Sequence, residues 1–178
     1  MSERQDEKDV FREIVGMLFY CGAEVLRKHY GFGSKRLRRY FYGVNHQMII
    51  ITKNLCTYEE YIDNMETEIH LERVRFERPG DTGKKRRIYL TMNPLAYNAI
   101  YTLRDRFGFG EKWIKKFLEL FAEEIREYHQ YDELGNFYWD KYGFKFSVKY
   151  MTLRSKNQKE EVDTDEIMRI RIVKGGGK

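Results

Sequence analysis

Apolar residues at Phe11, Ile14, Val15, Leu18, Val25 and Leu26 recur every three or four positions, which lines them up on one face of a helix from about Lys8 to His29. The helix should stop at Tyr30-Gly31-Phe32-Gly33, where Gly31 can turn left-handed while Phe32 packs back on the last turn. Ser34 is then placed to cap a second helix with the stripe Leu37, Phe41, Val44, Met48 and Ile51. So short a link forces the two helices into a hairpin or a steep crossing. Thr57-Tyr58-Glu59-Glu60 fits a reciprocal capping box and predicts a third helix to about His70.

From there the period changes from 3.6 to 2. Val74 and Phe76 alternate with Arg73, Arg75 and Glu77, then Pro79-Gly80-Asp81-Thr82-Gly83 turns the chain, and Ile88, Leu90 and Met92 alternate with Arg87, Tyr89 and Thr91. This predicts a central β-hairpin. Asn93-Pro94 reads as a cap followed by a proline at the first helical position, opening a fourth helix to Arg106; a fifth spans about Glu111 to Gln130. After Gly135, Phe144, Phe146, Val148 and Tyr150 alternate with polar residues, and beyond a polar stretch from Arg154 to Asp165 so do Met168, Ile170 and Ile172. These runs predict a C-terminal β-hairpin, and Gly175-Gly176-Gly177-Lys178 a flexible tail.

The chain also repeats itself. Tyr30-Gly31-Phe32-Gly33-Ser34-Lys35-Arg36-Leu37-Arg38-Arg39-Tyr40-Phe41 lies over Phe107-Gly108-Phe109-Gly110-Glu111-Lys112-Trp113-Ile114-Lys115-Lys116-Phe117-Leu118, with Leu26-Arg27 over Leu103-Arg104, Val44 over Phe121 and Met48 over Ile125. Both second helices therefore carry one apolar stripe spaced four, three, four. The expected fold class is α+β, predominantly helical: two repeated helix-Gly-Phe-Gly-helix hairpins with a central and a C-terminal β-hairpin. The expected division is 1–77 for the first helical unit, 78–93 for the connecting hairpin, 94–174 for the second unit with its strands and 175–178 for the tail.

Hydrophobic residues make up 42% of the 178, enough for a core, and the 14 Tyr and 12 Phe make that core aromatic. Apolar runs such as Met48 to Ile51 are far too short to span a bilayer, and Ser2 to Asp9 carries no signal-peptide pattern, so a cytoplasmic protein with no membrane partner is expected. Cys21 and Cys56 have no paired spacing and read as small core residues. The net charge of +5 is modest, but the charge is segregated. Cations gather at Lys35, Arg36, Arg38 and Arg39, at Lys84, Lys85, Arg86 and Arg87, and at Lys112, Lys115 and Lys116; these are the candidate residues for binding a partner or nucleic acid. Acids gather at Glu59, Glu60, Asp63, Glu66 and Glu68, and again at Glu160, Glu161, Asp163, Asp165 and Glu166.

Catalytic patterns are missing. His29, His46, His70 and His129 lack metal-ligand spacing, no HExxH or GxSxG occurs, and the Gly-Phe-Gly turns lack the Lys-Ser/Thr spacing of a nucleotide loop. No catalytic residue, no metal ligand and no cofactor is expected.

The run Leu26 to Phe41, followed by Asn45 and by Thr57-Tyr58-Glu59-Glu60-Tyr61, is similar to small uncharacterised proteins of phages and integrated elements of Gram-positive bacteria, which show a GFGKKRL turn before a helix. The similarity covers about residues 20 to 70 and again about 95 to 125; Trp113-Ile114 departs from it, where the pattern has Arg-Leu. The resemblance implies an accessory factor of the anti-defence kind in a bacterial host. On that basis the first expectation is a non-enzymatic binding protein that occludes a host nucleic-acid-handling complex, such as a CRISPR effector, with Tyr and Arg as anchors.

The second is a DNA-binding regulator. Lys84-Lys85-Arg86-Arg87-Ile88-Tyr89-Leu90-Thr91 resembles the second wing strand of MarR- and PadR-type repressors, in which the preceding helix enters the major groove. Here that helix carries five carboxylates, which phosphates repel, so the resemblance implies non-sequence-specific contact through the wing and the Lys35 to Arg39 cluster.

Overall fold

The structure, a computed structural model, describes residues 10, 13–52, 58–128, 131–142, 144–147 and 152–155. The chain divides into two compact units, Met1–His129 and Gln130–Lys178. Both copies of the repeat fall in the first. The Thr57 capping box, Cys56, His129, the run Met168 to Ile172 and the glycine tail lie outside the described residues.

In the first unit, a helical stretch over 13–16 passes through a π-helical turn, Met17–Cys21, into α1 (Gly22–Tyr30). After Gly31-Phe32-Gly33 come α2 (Ser34–Thr52) and α3 (Tyr58–Ile69), an extended segment over 71–78, then α4 (Gly83–Phe107) and, after Gly108-Phe109-Gly110, α5 (Glu111–Glu127). The two turns have one backbone. Gly31 sits at φ 65, ψ 31 and Gly108 at φ 69, ψ 26, left-handed values that a Cβ would strain. The Phe32 N–H reaches back to the Leu26 carbonyl and the Phe109 N–H to that of Leu103, each at 3.1 Å. The first bond of each following helix is Leu37 N–H to the Gly33 carbonyl and Ile114 N–H to that of Gly110, each at 3.0 Å, so Ser34 is the first residue of α2 and not its cap.

The copies interlock. α1 packs on α5 and α2 on α4, so each first helix lies against the second helix of the other copy. The turns meet reciprocally: Tyr30 stacks on Phe109 at 5.1 Å, and Phe107, the counterpart of Tyr30, on Phe32 at 4.9 Å. The shared stripe lies in the core, with Leu37, Phe41, Val44 and Met48 buried in one copy and Ile114, Phe121 and Ile125 in the other; the fourth position differs, Leu118 being half-buried while its neighbour Phe117 is buried. Burial of each such side chain is worth about 1.5–3 kcal/mol. Gly43 lets α2 and α4 approach closely, because a Cβ there would stand 2.3 Å from Thr102 Cγ2.

The expected fold class is overturned. The first unit contains no central hairpin: Lys84 to Met92, read as its second strand, forms the first turns of the 25-residue α4. Its buried positions include Ile88, Tyr89, Met92, Ala96, Ile100 and Leu103, a helical spacing, while Leu90 is left 42% exposed. Pro94 lies inside the helix rather than at its start. The partner run, 71–78, is extended but bonded to side chains: Val74 N–H donates to Tyr97 Oη at 2.9 Å and Phe76 N–H to Asn93 Oδ1 at 2.9 Å. Asn93, expected to cap a helix, thus serves a loop N–H that would otherwise be buried unpaired.

The second unit contains α6 (Tyr131–Tyr142), which sequence reading passed over because Gly135 interrupts it, and a short antiparallel ladder of β1 (Phe144–Ser147) with β2 (Thr152–Ser155). The expected C-terminal hairpin, with Met168 to Ile172 as its second strand, is therefore not what forms; Phe144 is opposite Ser155.

Candidate binding surfaces

The eleven candidate cations occupy two regions far apart. At one end of α4 lie Lys84, Lys85, Arg86 and Arg87, all exposed in its first turn. At its other end, about 35 Å away at 1.5 Å per residue, the paired glycine turns bring the remaining two clusters together.

The α4 end is electrostatically unbalanced. No acid stands in the first turn of the helix, whose N-terminus already carries a partial positive charge. Lys84 Nζ is 2.9 Å from Glu13 Oε1 and Lys85 Nζ 3.8 Å from Asp81 Oδ1; among the described residues Arg86 and Arg87 form no ion pair, although Arg86 adds, after the Asn93 hydrogen bond, to what lowers the Glu77 carboxyl. Two shallow depressions of about 360 and 370 Å³ open here, one lined by Gly83, Arg86, Arg87, Leu90 and Thr91, the other by Val10, Gly83, Lys84 and Arg87. Exposed Leu90 therefore sits one turn from two guanidinium groups that form no ion pair among the described residues.

At the glycine turns, cations and rings alternate. Arg36 lies over Phe32 at 5.5 Å and Arg39 over Phe107 at 5.3 Å, so two arginines of the first cluster cover the aromatic seam between the copies. Lys35 is exposed and Arg38 half-buried. On α5, Lys115 pairs with Glu111 and Lys116 with Glu119, while Lys112 has no ion pair among the described residues. The position that holds Arg36 in the first copy holds Trp113 in the second. Trp113 is 54% exposed, its ring 5.4 Å from Tyr30 and 5.2 Å from Phe109, and Tyr30 Oη donates to its carbonyl at 3.2 Å. Sequence reading missed Trp113 as a surface residue, although the departure of Trp113-Ile114 from the Arg-Leu pattern was the signal.

The acidic helix α3 is held from within the fold. Arg73 reaches Glu59, Asp63 and Glu66 at 3.3, 2.7 and 3.3 Å, and Arg104 pairs with Glu68. Tyr97 donates its hydroxyl to Glu66 while accepting from Val74; burial, followed by that hydrogen bond, pushes its ionisation far above the usual phenol range. Arg126 ties the loop down, with Nη2 on the Phe76 carbonyl at 2.7 Å and on Asp81 Oδ2 at 2.9 Å, and its guanidinium 4.5 Å over Tyr89. Cys21 is buried and donates weakly to the Glu124 carbonyl at 3.9 Å; burial raises its thiol ionisation, the opposite of an activated nucleophile. Among the described residues no cluster of His, Cys, Asp and Glu could hold a metal ion, and no helix is long and apolar enough to cross a membrane. Compared with known proteins, the chain matches no family model, no curated sequence and no solved structure.

Proposed function

We propose that the chain is a non-enzymatic binding protein of the bacterial cytoplasm that acts by covering a surface of a nucleic-acid-handling complex. The observation that carries this reading is the first turn of α4, where Arg86 and Arg87 are exposed beside Leu90 and form no ion pair among the described residues. Cations stacked on the positive end of a helix repel one another, so a polyanionic or acidic partner relieves a cost that the free protein carries. Arginine is also among the residue types enriched at interface hot spots. The phage origin and the anti-defence role, with a CRISPR effector as target, rest on the sequence resemblance. A wing reading the DNA backbone is no longer available, because the segment that would form it is helical.

The test is infection. In a bacterium whose CRISPR effector targets an incoming phage, expression of the chain should raise plaque counts, and joint Arg86→Glu and Arg87→Glu replacement should abolish the rise without altering thermal unfolding. Plaque counts unmoved by the parent chain, or equally raised by the charge-reversed one, would overturn the proposal.

A further inference from the structure

The exposed Trp113 needs its own account, because it lies at the far end of α4 from the basic turn just described. A tryptophan more than half exposed gives up most of the burial for which so large a ring is kept. Its position is nonetheless fixed: the ring is wedged against Tyr30 and Phe109, and its own carbonyl accepts a hydrogen bond from the Tyr30 hydroxyl. Such a ring is preorganised, with a free face and little rotamer freedom left to lose on binding. The first copy shows that the fold does not require it, since the equivalent position there holds Arg36, which lies over Phe32.

The cations near this ring without an ion pair among the described residues are Lys112, Arg36 and Arg39. Lys112 adjoins Trp113, and Arg36 and Arg39 lie over Phe32 and Phe107, which touch one another, Phe32 also touching Phe109. The nearby acids Glu111 and Glu119 are already paired with Lys115 and Lys116. An exposed Trp113 beside half-buried Tyr30, flanked by these cations, matches one ligand chemistry well: unpaired bases, whose faces stack on any ring, joined by phosphates. A duplex presents no base face and could use only the charges.

We propose that Trp113 and Tyr30 form a stacking platform for single-stranded nucleic acid, with Lys112, Arg36 and Arg39 taking its phosphates. The site goes beyond the proposed covering role, since a strand could stack here whether or not a complex is bound at the basic turn. The test measures anisotropy of a fluorescein-labelled oligothymidine and of a labelled duplex of equal length against the whole chain. The single strand should bind tighter than the duplex, with binding that weakens as salt rises. Trp113→Ala should weaken single-strand binding roughly 5- to 150-fold, the loss expected when one base gives up an aromatic partner, and leave duplex binding unchanged. Trp113→Arg restores the residue that the first copy carries at this position, so it keeps the fold and adds charge; it should erase the preference for single strands. Joint Arg86→Glu and Arg87→Glu replacement should leave that preference intact. The proposal is overturned if no oligonucleotide binds, which would leave Trp113 to a protein contact, or if Trp113→Arg retains the preference for single strands.

Discussion

At the scale of single residues, the two copies differ most inside their first helices. Position by position, the π-helical turn Met17–Cys21 of the first copy corresponds to Pro94–Asn98 of the second, where the α-helix carries a proline in its interior. A side-chain donor meets the equivalent carbonyl in each. Tyr40 Oη donates to the Leu18 oxygen at 3.0 Å across the hairpin, and Asn98 Nδ2 to the Leu95 oxygen at 3.1 Å from the same helix. Tyr40 gets there only because Gly22 has no side chain: a Cβ would stand 2.0 Å from its hydroxyl. Gly22→Ala should therefore cost about 2–4 kcal/mol, combining overpacking with a displaced hydrogen bond. Tyr40→Phe alone should cost about 0.5–1.5 kcal/mol by removing that hydrogen bond. The double variant should fall well short of the sum, since removing the hydroxyl removes the closest clash. Urea unfolding of the three variants gives the cycle, and strict additivity would show that the glycine serves some other purpose.

At the scale of elements, the segment over 71–82 shows how an extended run can be held without a strand partner. Its backbone is satisfied by Tyr97, Asn93 and Arg126, and its end by Asp81, which accepts from Arg126 and from the Arg78 N–H at 2.7 Å. The Arg126 hydrogen bond, with that backbone bond second, holds the Asp81 carboxyl down at about 2. A carboxyl lowered by folding contributes stability that is complete above the ordinary aspartate range, near 3.9, and is lost as pH falls toward 2. Asp81→Asn should thus lower the urea midpoint at pH 7, with the gap to the parent closing between about pH 4 and 2; a gap independent of pH would show that Asp81 acts only through its geometry. Legibility in the sequence follows the same physics. The glycine turns and the stripes on α2 and α5 were readable because each is local, set by positive φ or by a 3.6 period. The start of α4 was not, since Ile88 and Met92 fit both periods and the deciding facts are tertiary: Tyr89 goes inside under Arg126, and Leu90 goes outside. Asn93 was misread because its side chain serves a residue 17 positions away. Of the binding surfaces, the basic clusters were visible as composition, but their separation into two ends of one helix depended on α4 being continuous.

At the scale of the whole molecule, the repeat acts as exchanged pairs rather than as two stacked bodies. Because α1 rests on α5 and α2 on α4, the buried stripe of each copy is covered chiefly by the other, and the aromatic seam from Tyr30 through Phe109 to Trp113 exists only where both turns are present. A single copy would expose Leu37, Phe41 and Val44 together with the rings of its own turn, an apolar face too large to stay in water unpaired. Two peptides, residues 1–77 and 78–129, should each show little cooperative melting when dilute. Mixed in equal amounts they should regain helical circular dichroism and a single thermal transition, with a midpoint that rises with concentration because association now supplies what the covalent link supplied before. Complementation would also return the contact between Tyr30 and Trp113, so tryptophan emission should shift on mixing in step with the helical signal. Independent, concentration-insensitive folding of the first peptide would instead mean that the π-turned helix and α2 hold together without the second copy. The reciprocal ring contacts would then be a consequence of the fold rather than one of its causes.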